Sequence, residues 1–349
     1  MKAEEYHKSL APLKEACQLA GWACLTCPLT GGKPMIMLRH FALVCKVWRN
    51  RKRQILVREF SNIPLLFVFP LLWPLRKQIH FLINHNLQWA ARDPLERFGL
   101  AMLARLDARW ALFESRLEES GFQLSLYPQS VERFNISLER NLVLPHPVPR
   151  SPLLQGFPKG AVSRCEHRSV PVRVGSPVIG VAGYYRQEKG MDELICLLKE
   201  KFPEFVILLG VPNPEAAAHL DVEIVPTGSD EEYFKMISRC DVLVFNGGKN
   251  SYFYRASGPV ADAAVCGTAV VAPDFPIIGK QVAGIGEVFQ PLEKKPGAGS
   301  ACFQPLEKMP DAIRTAVEKV RAGQYDFESY CAGRSAQALA ALLEQFKNG

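Results

Sequence analysis

The sequence predicts an α/β protein of two domains, each a parallel sheet covered by helices on both faces. Three observations carry this. The 349 residues exceed what one ordinary core organises and suit two domains of roughly 150 residues each. Apolar, strand-like runs alternate with helical periodicity through both halves of the chain. A proline-rich stretch with almost no periodic apolar pattern, 151–176, parts the halves and reads as a linker. The first domain is then 1–150 and the second 177–325. Residues 326–349 form a C-terminal helix expected to pack back on the first domain.

In the first half, helical periodicity covers Glu4–Ala20 and a strand follows at Ala23–Pro28. A Thr30-Gly31-Gly32 turn leads into a helix over Pro34–Arg51. A strand at Gln54–Phe60, an apolar helix at Ile63–Leu75 and a strand at Ile79–Asn84 continue the alternation. Apolar residues at three- and four-residue spacing then predict one long helix, Pro94–Glu119. Short strands at Phe122–Tyr127 and Leu142–Leu144 close the unit. The Ile63–Leu75 run is only 13 residues and holds three prolines, well short of the roughly 20 residues a spanning helix needs.

The second half repeats the pattern more cleanly. Strands are predicted at Pro177–Ala182, Phe205–Gly210, Val222–Val225, Asp241–Asn246 and Ala269–Ala272. Helices are predicted at Gly190–Lys201, Asp230–Arg239 and Gly258–Cys266, with a mostly helical tail from Pro310 to Phe346. The hexapeptide Phe289–Lys294 recurs as Phe303–Lys308, a local duplication to which no function is assigned.

Composition narrows the function classes. A chain 48% apolar and 22% charged, without an internal period, is neither disordered, collagenous nor a repeat array. The N-terminus is polar and amphipathic, unlike a signal peptide, and ten scattered cysteines read as free thiols of a cytoplasmic protein. Cys24-x-x-Cys27 lies in a strand-like run with no second Cys/His pair, which argues against a redox or zinc site. Positive charge is concentrated in residues 1–150, with 21 Lys/Arg against 12 Asp/Glu. Arg49–Arg53 and Arg76-Lys77 suit an anionic membrane surface, placing the protein at the inner membrane face. No recognition helix, zinc finger or aromatic-studded sheet motif is present, so no nucleic-acid partner is expected. No strand is followed by G-x-G-x-x-G, which argues against hydride transfer.

Two loops have the composition to hold phosphate. In wound α/β sheets, ligands sit outside the carboxyl ends of the strands. Gly183–Gly190 follows a strand, leads into a helix and carries Arg186 and Lys189 as cationic donors. The loop from Gly247-Gly248 to Ser257-Gly258-Pro259 opens another helix, with Ser as cap and Pro in the first turn. Free N–H groups and the helix dipole there favour an anion.

The run from Val178 to Val288 resembles the donor-binding domain of GT-B fold glycosyltransferases, in particular the retaining group 1 (family 4-like) enzymes. The matching pieces are VIGVAGYYRQEKGMDELI, FVILLG, ISRCDVLVFNGG and SGPVADAAVCGTAVVAPDFPIIGKQV, in order over about 110 residues. The resemblance implies two Rossmann-like doubly wound domains with an interdomain cleft. It assigns Lys189 to the donor diphosphate, Asp262 to the ribose, and Ser257 and Gly258 to a turn whose backbone touches phosphate. It also implies donor contacts from Gly183, Gly247 and Gly248. Tyr184 occupies the family's usual arginine position, so Arg186 is a substitute for that arginine. Asn84-His85-Asn86 would end a strand at the cleft, with His85 orienting the acceptor or acting in catalysis. His146, in Pro145-His146-Pro147, is read as structural. Two departures stand out: Tyr254 takes the place of the family's first catalytic glutamate, and the sequence opens at the family's first helix.

The function implied is sugar transfer from a nucleotide diphosphate donor to a glycan or polyprenol-linked acceptor, as in bacterial surface polysaccharide synthesis. No metal is expected, since there is no Asp-x-Asp, and no cofactor beyond the nucleotide sugar. The alternative is a catalytically inactive glycosyltransferase-like subunit that binds nucleotide sugar or glycan.

Overall fold

The structure is a computed structural model that describes residues 10–114, 142–149, 175–183, 190–245, 247–291 and 308–348. The described residues fall into two compact units. Those up to Pro147, with Asn250–Ala256 and those from Arg334 on, form the first; Val148–Lys249 and Ser257–Gly333 form the second.

The first unit runs α1 (Leu10–Leu19), β1 (Ala23–Thr26), α2 (Lys33–Arg49), β2 (Ile55–Arg58) and α3 (Asn62–Leu72), which tightens into a 3₁₀ turn over Trp73–Gln78. Then come β3 (Ile79–Ile83), α4 (Asn86–Arg92), α5 (Pro94–Arg105), β4 (Arg109–Phe113) and β5 (Leu142–Leu144). The strands lie side by side in chain order, all parallel, with Ile55 opposite Ile79 and Phe81 opposite Trp110. Alternation along β3 sorts its side chains to opposite faces. Ile79, Phe81 and Ile83 join Val47, Leu65, Phe69 and Leu100 in a core with the crossover helices. His80 points the other way, between Trp22 and Phe346, each with ring centroids 5.1 Å from it. That second face is covered from the chain's far end by α13 (Ala336–Asn348), packed on α1.

One expectation fails here. The helix expected over Pro94–Glu119 stops at Arg105, and Arg109–Phe113 is a strand inside the sheet, between β3 and β5. The break is local: Leu106 leaves helical geometry and Asp107 turns left-handed at φ +59°. A contiguous apolar run such as Trp110-Ala111-Leu112-Phe113 fits either period, and pairing on both edges decides for the strand. Residues 115–119 and the expected strand at Phe122–Tyr127 lie outside the described residues. Helix α4 was not anticipated.

The second unit contains β6 (Val178–Ala182), α6 (Met191–Lys201), β7 (Val206–Val211), β8 (Glu223–Pro226), α7 (Asp230–Arg239), β9 (Val242–Val244) and a short α8 (Lys249–Tyr252) that leads out of it. It resumes with α9 (Gly258–Val265), β10 (Ala269–Pro273), α10 (Pro276–Val282), β11 (Gly286–Phe289), α11 (Met309–Arg321) and α12 (Phe327–Ala332). Helix α10 and strand β11 had no sequence expectation. The parallel order is β11-β10-β9-β6-β7-β8. Ile179, Val181, Val242 and Val271 face α6 and α11 across one core. Helix α7 starts on a capping box, Ser229 and Glu232 bonding each other's backbone N–H.

Strand β11 depends on one glycine. A Cβ on Gly286 would stand 1.9 Å from the Val270 carbonyl oxygen of β10, a backbone atom that cannot swing aside. Gly286→Ala is expected to destabilise the second unit by about 2–3 kcal/mol in urea unfolding, as forced overpacking does. A cost below about 0.5 kcal/mol would show that β11 shifts freely and is not held by its pairing.

Candidate functional site

Topology alone marks a place for a ligand in the second unit. From β6 the chain winds outward through β7 and β8, then returns to lay β9, β10 and β11 on the other side. In wound sheets a ligand binds where the strand order reverses, which here is outside the carboxyl ends of β6 and β9. Gly183 follows β6 at φ +145°, a conformation side chains resist, and its N–H bonds the Gly210 carbonyl at 3.1 Å. Tyr184, Arg186 and Lys189 lie outside the described residues. Gly247, buried, and Gly248, half-buried, follow β9.

Helix α9 begins at the same edge. Its first turn holds no acidic side chain, and no side chain caps its first N–H groups. Helix α6 carries Asp192 and Glu193 in its first turn, which oppose an anion. The α9 start is also fixed in place. Gln281 of α10, fully buried, accepts from Ser257 N–H at 2.8 Å and donates to the Ser257 carbonyl at 2.7 Å. Behind it, the Tyr330 hydroxyl donates to the Gln281 carbonyl at 2.8 Å. The Ser257 hydroxyl is buried and has no hydrogen-bond partner among the described residues. A Cβ on Gly258 would meet nothing within 4 Å, so the backbone there is open to approach. Asp262 lies one turn further along α9, buried. The arrangement presents a rigid, acid-free helix N-terminus, the physical requirement for holding a phosphate. No sequence signal identifies Gln281 or Tyr330, which act only through contacts across 24 and 49 residues of chain.

The first unit gathers polar groups at the carboxyl edge of its own sheet. His85 sits at the N-cap of α4, stacked on Trp89 with centroids 5.6 Å apart and planes 18° from parallel. Beside it, Asn86 Nδ2 donates to the Phe60 carbonyl at 2.9 Å and to Asn62 Oδ1 at 2.8 Å. Asn62 N–H and the Ser61 hydroxyl both reach Glu96, each at 3.3 Å. Ser61 N–H donates to His40 Nε2 at 3.2 Å, while His40 Nδ1 faces the Ile36 carbonyl at 2.8 Å and Cys27 Sγ at 3.5 Å. Burial pushes the His40 imidazole below its usual range and lifts the Glu96 carboxyl above its own. This network ties together the loops after β1, β2 and β3.

A second cluster gathers Arg58, Arg255 and Arg334 around His146, with Arg58 paired to Glu59 and Arg334 to Glu114. Arg334 Nη2 meets Glu114 Oε2 at 2.7 Å, and Arg58 Nη2 meets Glu59 Oε1 at 2.5 Å. His146 N–H donates to Glu114 Oε1 at 2.8 Å. Glu59 and Glu114 both follow strand ends in the left-handed region, at φ +56° and +65°. Such backbone strain persists only where the surroundings impose it. Buried nitrogens of Arg58 (Nη1) and Arg255 (Nε) have no hydrogen-bond partner among the described residues. Burial pushes His146 down to about 3, with the charges of Arg334, Arg255 and Arg58 adding to the effect. Tyr254 packs its ring partly buried on the first unit's core, and its N–H donates to Gln88 Oε1 at 3.1 Å. No three His, Cys, Asp or Glu side chains meet as a metal site among the described residues.

The class defined by two such parallel-sheet units is the GT-B glycosyltransferase fold. Anabaena HepE, crystallised with UDP-glucose, shares it at a TM-score of 0.51 and 13% identity, over 89% of this chain and 81% of that one. Sucrose-phosphate synthase from Thermosynechococcus elongatus matches at 0.51 and 16% identity, over 96% and 90% of the two chains. UDP-GlcNAc 2-epimerase from Neisseria meningitidis, bound to UDP-GlcNAc, matches at 0.52 and 10% identity, over 98% and 97%. At these identities the likeness establishes the fold. No family model and no curated protein sequence matches the chain.

Proposed function

We propose that the protein transfers a sugar from a nucleotide diphosphate donor to a glycan or polyprenol-linked acceptor in the cytoplasm, without a metal. The observation that carries this reading is the start of α9 at the strand-order reversal, held rigid by Gln281 and free of acidic side chains. A preorganised N-terminus of this kind stabilises a departing diphosphate in place of a metal ion. Lys189 and Arg186 would add cationic donors, Asp262 would hold the ribose, and His85 would orient the acceptor. Surface polysaccharide synthesis is the setting that suits a polyprenol-linked acceptor. UDP is the first base to try, because HepE and the epimerase were crystallised with UDP-sugars.

A second reading keeps the binding and drops the turnover. It is favoured by Tyr254, whose ring is spent on packing where the family places a carboxylate.

Calorimetric titration with UDP, GDP and ADP tests the donor site. Binding of one in the micromolar range is expected. Lys189→Ala should weaken it at least tenfold, and Gly258→Leu should abolish it while leaving the unfolding midpoint within a few degrees. Absence of binding by all three, from folded protein, removes the donor site and the transferase reading, and leaves a subunit that binds glycan without nucleotide. Binding without donor hydrolysis or transfer to any offered glycan or lipid-linked acceptor selects the inactive subunit.

A further inference from the structure

We propose that the outer face of α2 and α3 in the first unit docks on the surface of an anionic lipid bilayer. Helix α2 has two apolar stripes. His40, Leu43, Val44 and Val47 enter the core, whereas Met35, Leu38, Phe41 and Trp48 stand outward, 38–62% exposed. Helix α3 carries no charged residue in its eleven positions, and its Phe67 and Leu71 are 67% and 49% exposed. The two helices adjoin, since Trp48 Nε1 donates to the Leu71 carbonyl at 3.1 Å. The outward apolar residues of the two helices therefore meet at Trp48 and Leu71, an exposed apolar surface of the kind that marks a docking site.

Charge decides what docks there. From Ala16 to Arg92 the chain holds eleven Lys/Arg and one carboxylate, Glu59, which is paired with Arg58. The basic residues gather just past the two helices, at Arg51, Lys52 and Arg53 after α2 and at Arg76-Lys77 after α3, where Arg76 also meets Asp107 at 3.6 Å. Trp73, at the patch edge, lies under the Arg76 guanidinium at 4.0 Å. An apolar centre with a basic rim and edge tryptophans fits the headgroup boundary of an anionic membrane. A second copy of the chain would instead bring two basic rims together. Among the described residues no helix is long and apolar enough to cross a membrane, so the docking is peripheral. The inference stands apart from the sugar-transfer reading, although a polyprenol-linked acceptor is presented at such a surface.

Flotation of the full chain with phosphatidylcholine vesicles, with and without phosphatidylglycerol, tests it. Binding is expected on the anionic vesicles only, weakening with added salt. Neutralising Arg51, Lys52 and Arg53 to Gln should lower partitioning on the order of 100-fold. Phe67→Ser with Leu71→Ser should lower it on the order of tenfold. Thermal unfolding shows whether the variants remain folded. In the unaltered protein, brominated lipid should quench fluorescence that Trp48→Phe with Trp73→Phe removes. Equal binding to both vesicle types, or no quenching, would overturn the proposal. So would concentration-dependent dimerisation abolished by the Phe67→Ser, Leu71→Ser variant, which would make the face a contact between copies.

Discussion

Lowering the pH from 7 to 5 is expected to destabilise the first unit by about 4 kcal/mol, through two histidines that fold neutral. His80 lies fully buried against Trp22 and Phe346, with no hydrogen-bond partner for either ring nitrogen among the described residues. Burial pushes it down to about 3, and Arg109 adds to the shift. His146 is likewise held at about 3. In the unfolded chain both return to about 6.5. The unfolded state therefore binds more protons, and stability is complete above pH 6.5 and falls as pH drops toward 3. At pH 5 each histidine accounts for about 2 kcal/mol of that loss. Glu114 and Glu96 act in the opposite sense. Burial raises both carboxyls, so acidification relieves rather than adds cost there and trims the total. Urea unfolding at pH 7, 6 and 5 measures the slope, and His80→Phe should remove about half of it. A slope unchanged by that substitution would show that His80 is not what senses the pH.

Replacing Arg334 with Met is expected to cost about 3–5 kcal/mol, because it strands the Glu114 carboxylate in a place water does not reach. The two side chains are 13% and 6% exposed, and the second Glu114 oxygen is already held by His146 N–H. Exposed ion pairs contribute about 0–1 kcal/mol, so burial is what sets this magnitude. Adding Glu114→Gln should recover part of the loss, since a neutral amide still accepts from His146 without a charge to bury. The pair also joins the end of β4 to the turn before α13, across 220 residues of chain. Arg334→Met should therefore speed amide hydrogen exchange in α13 more than in the second unit. A cost near 1 kcal/mol, with α13 exchange unchanged, would mean that solvent already reaches the pair.

The alternation of strand and helix was legible in the sequence because it depends on local pattern. Short β-branched runs such as Val178–Ala182 and Val206–Val211 are buried on both faces and read as strands wherever they occur. Helix α7, with its capping box and amphipathic spacing, falls on the expected boundaries, Asp230 to Arg239. Arg109–Phe113 was misread because its apolar run carries no period of its own, and only β3 and β5 on either side make it a strand. The loops after β6 and β9 were singled out by composition and by their place at strand ends, both local features.

What the sequence by itself determined is therefore the α/β class and most of the elements. Only the tertiary structure decided the strand order, and with it the reversal between β6 and β9. It alone revealed Gln281 and Tyr330 behind Ser257, the network from Cys27 to Asn86, and the arginines around Glu114 and His146. The physical reason is range. Periodicity, caps and turns are set by neighbours a few residues apart, whereas burial, pairing and charge compensation depend on partners that only folding brings within reach.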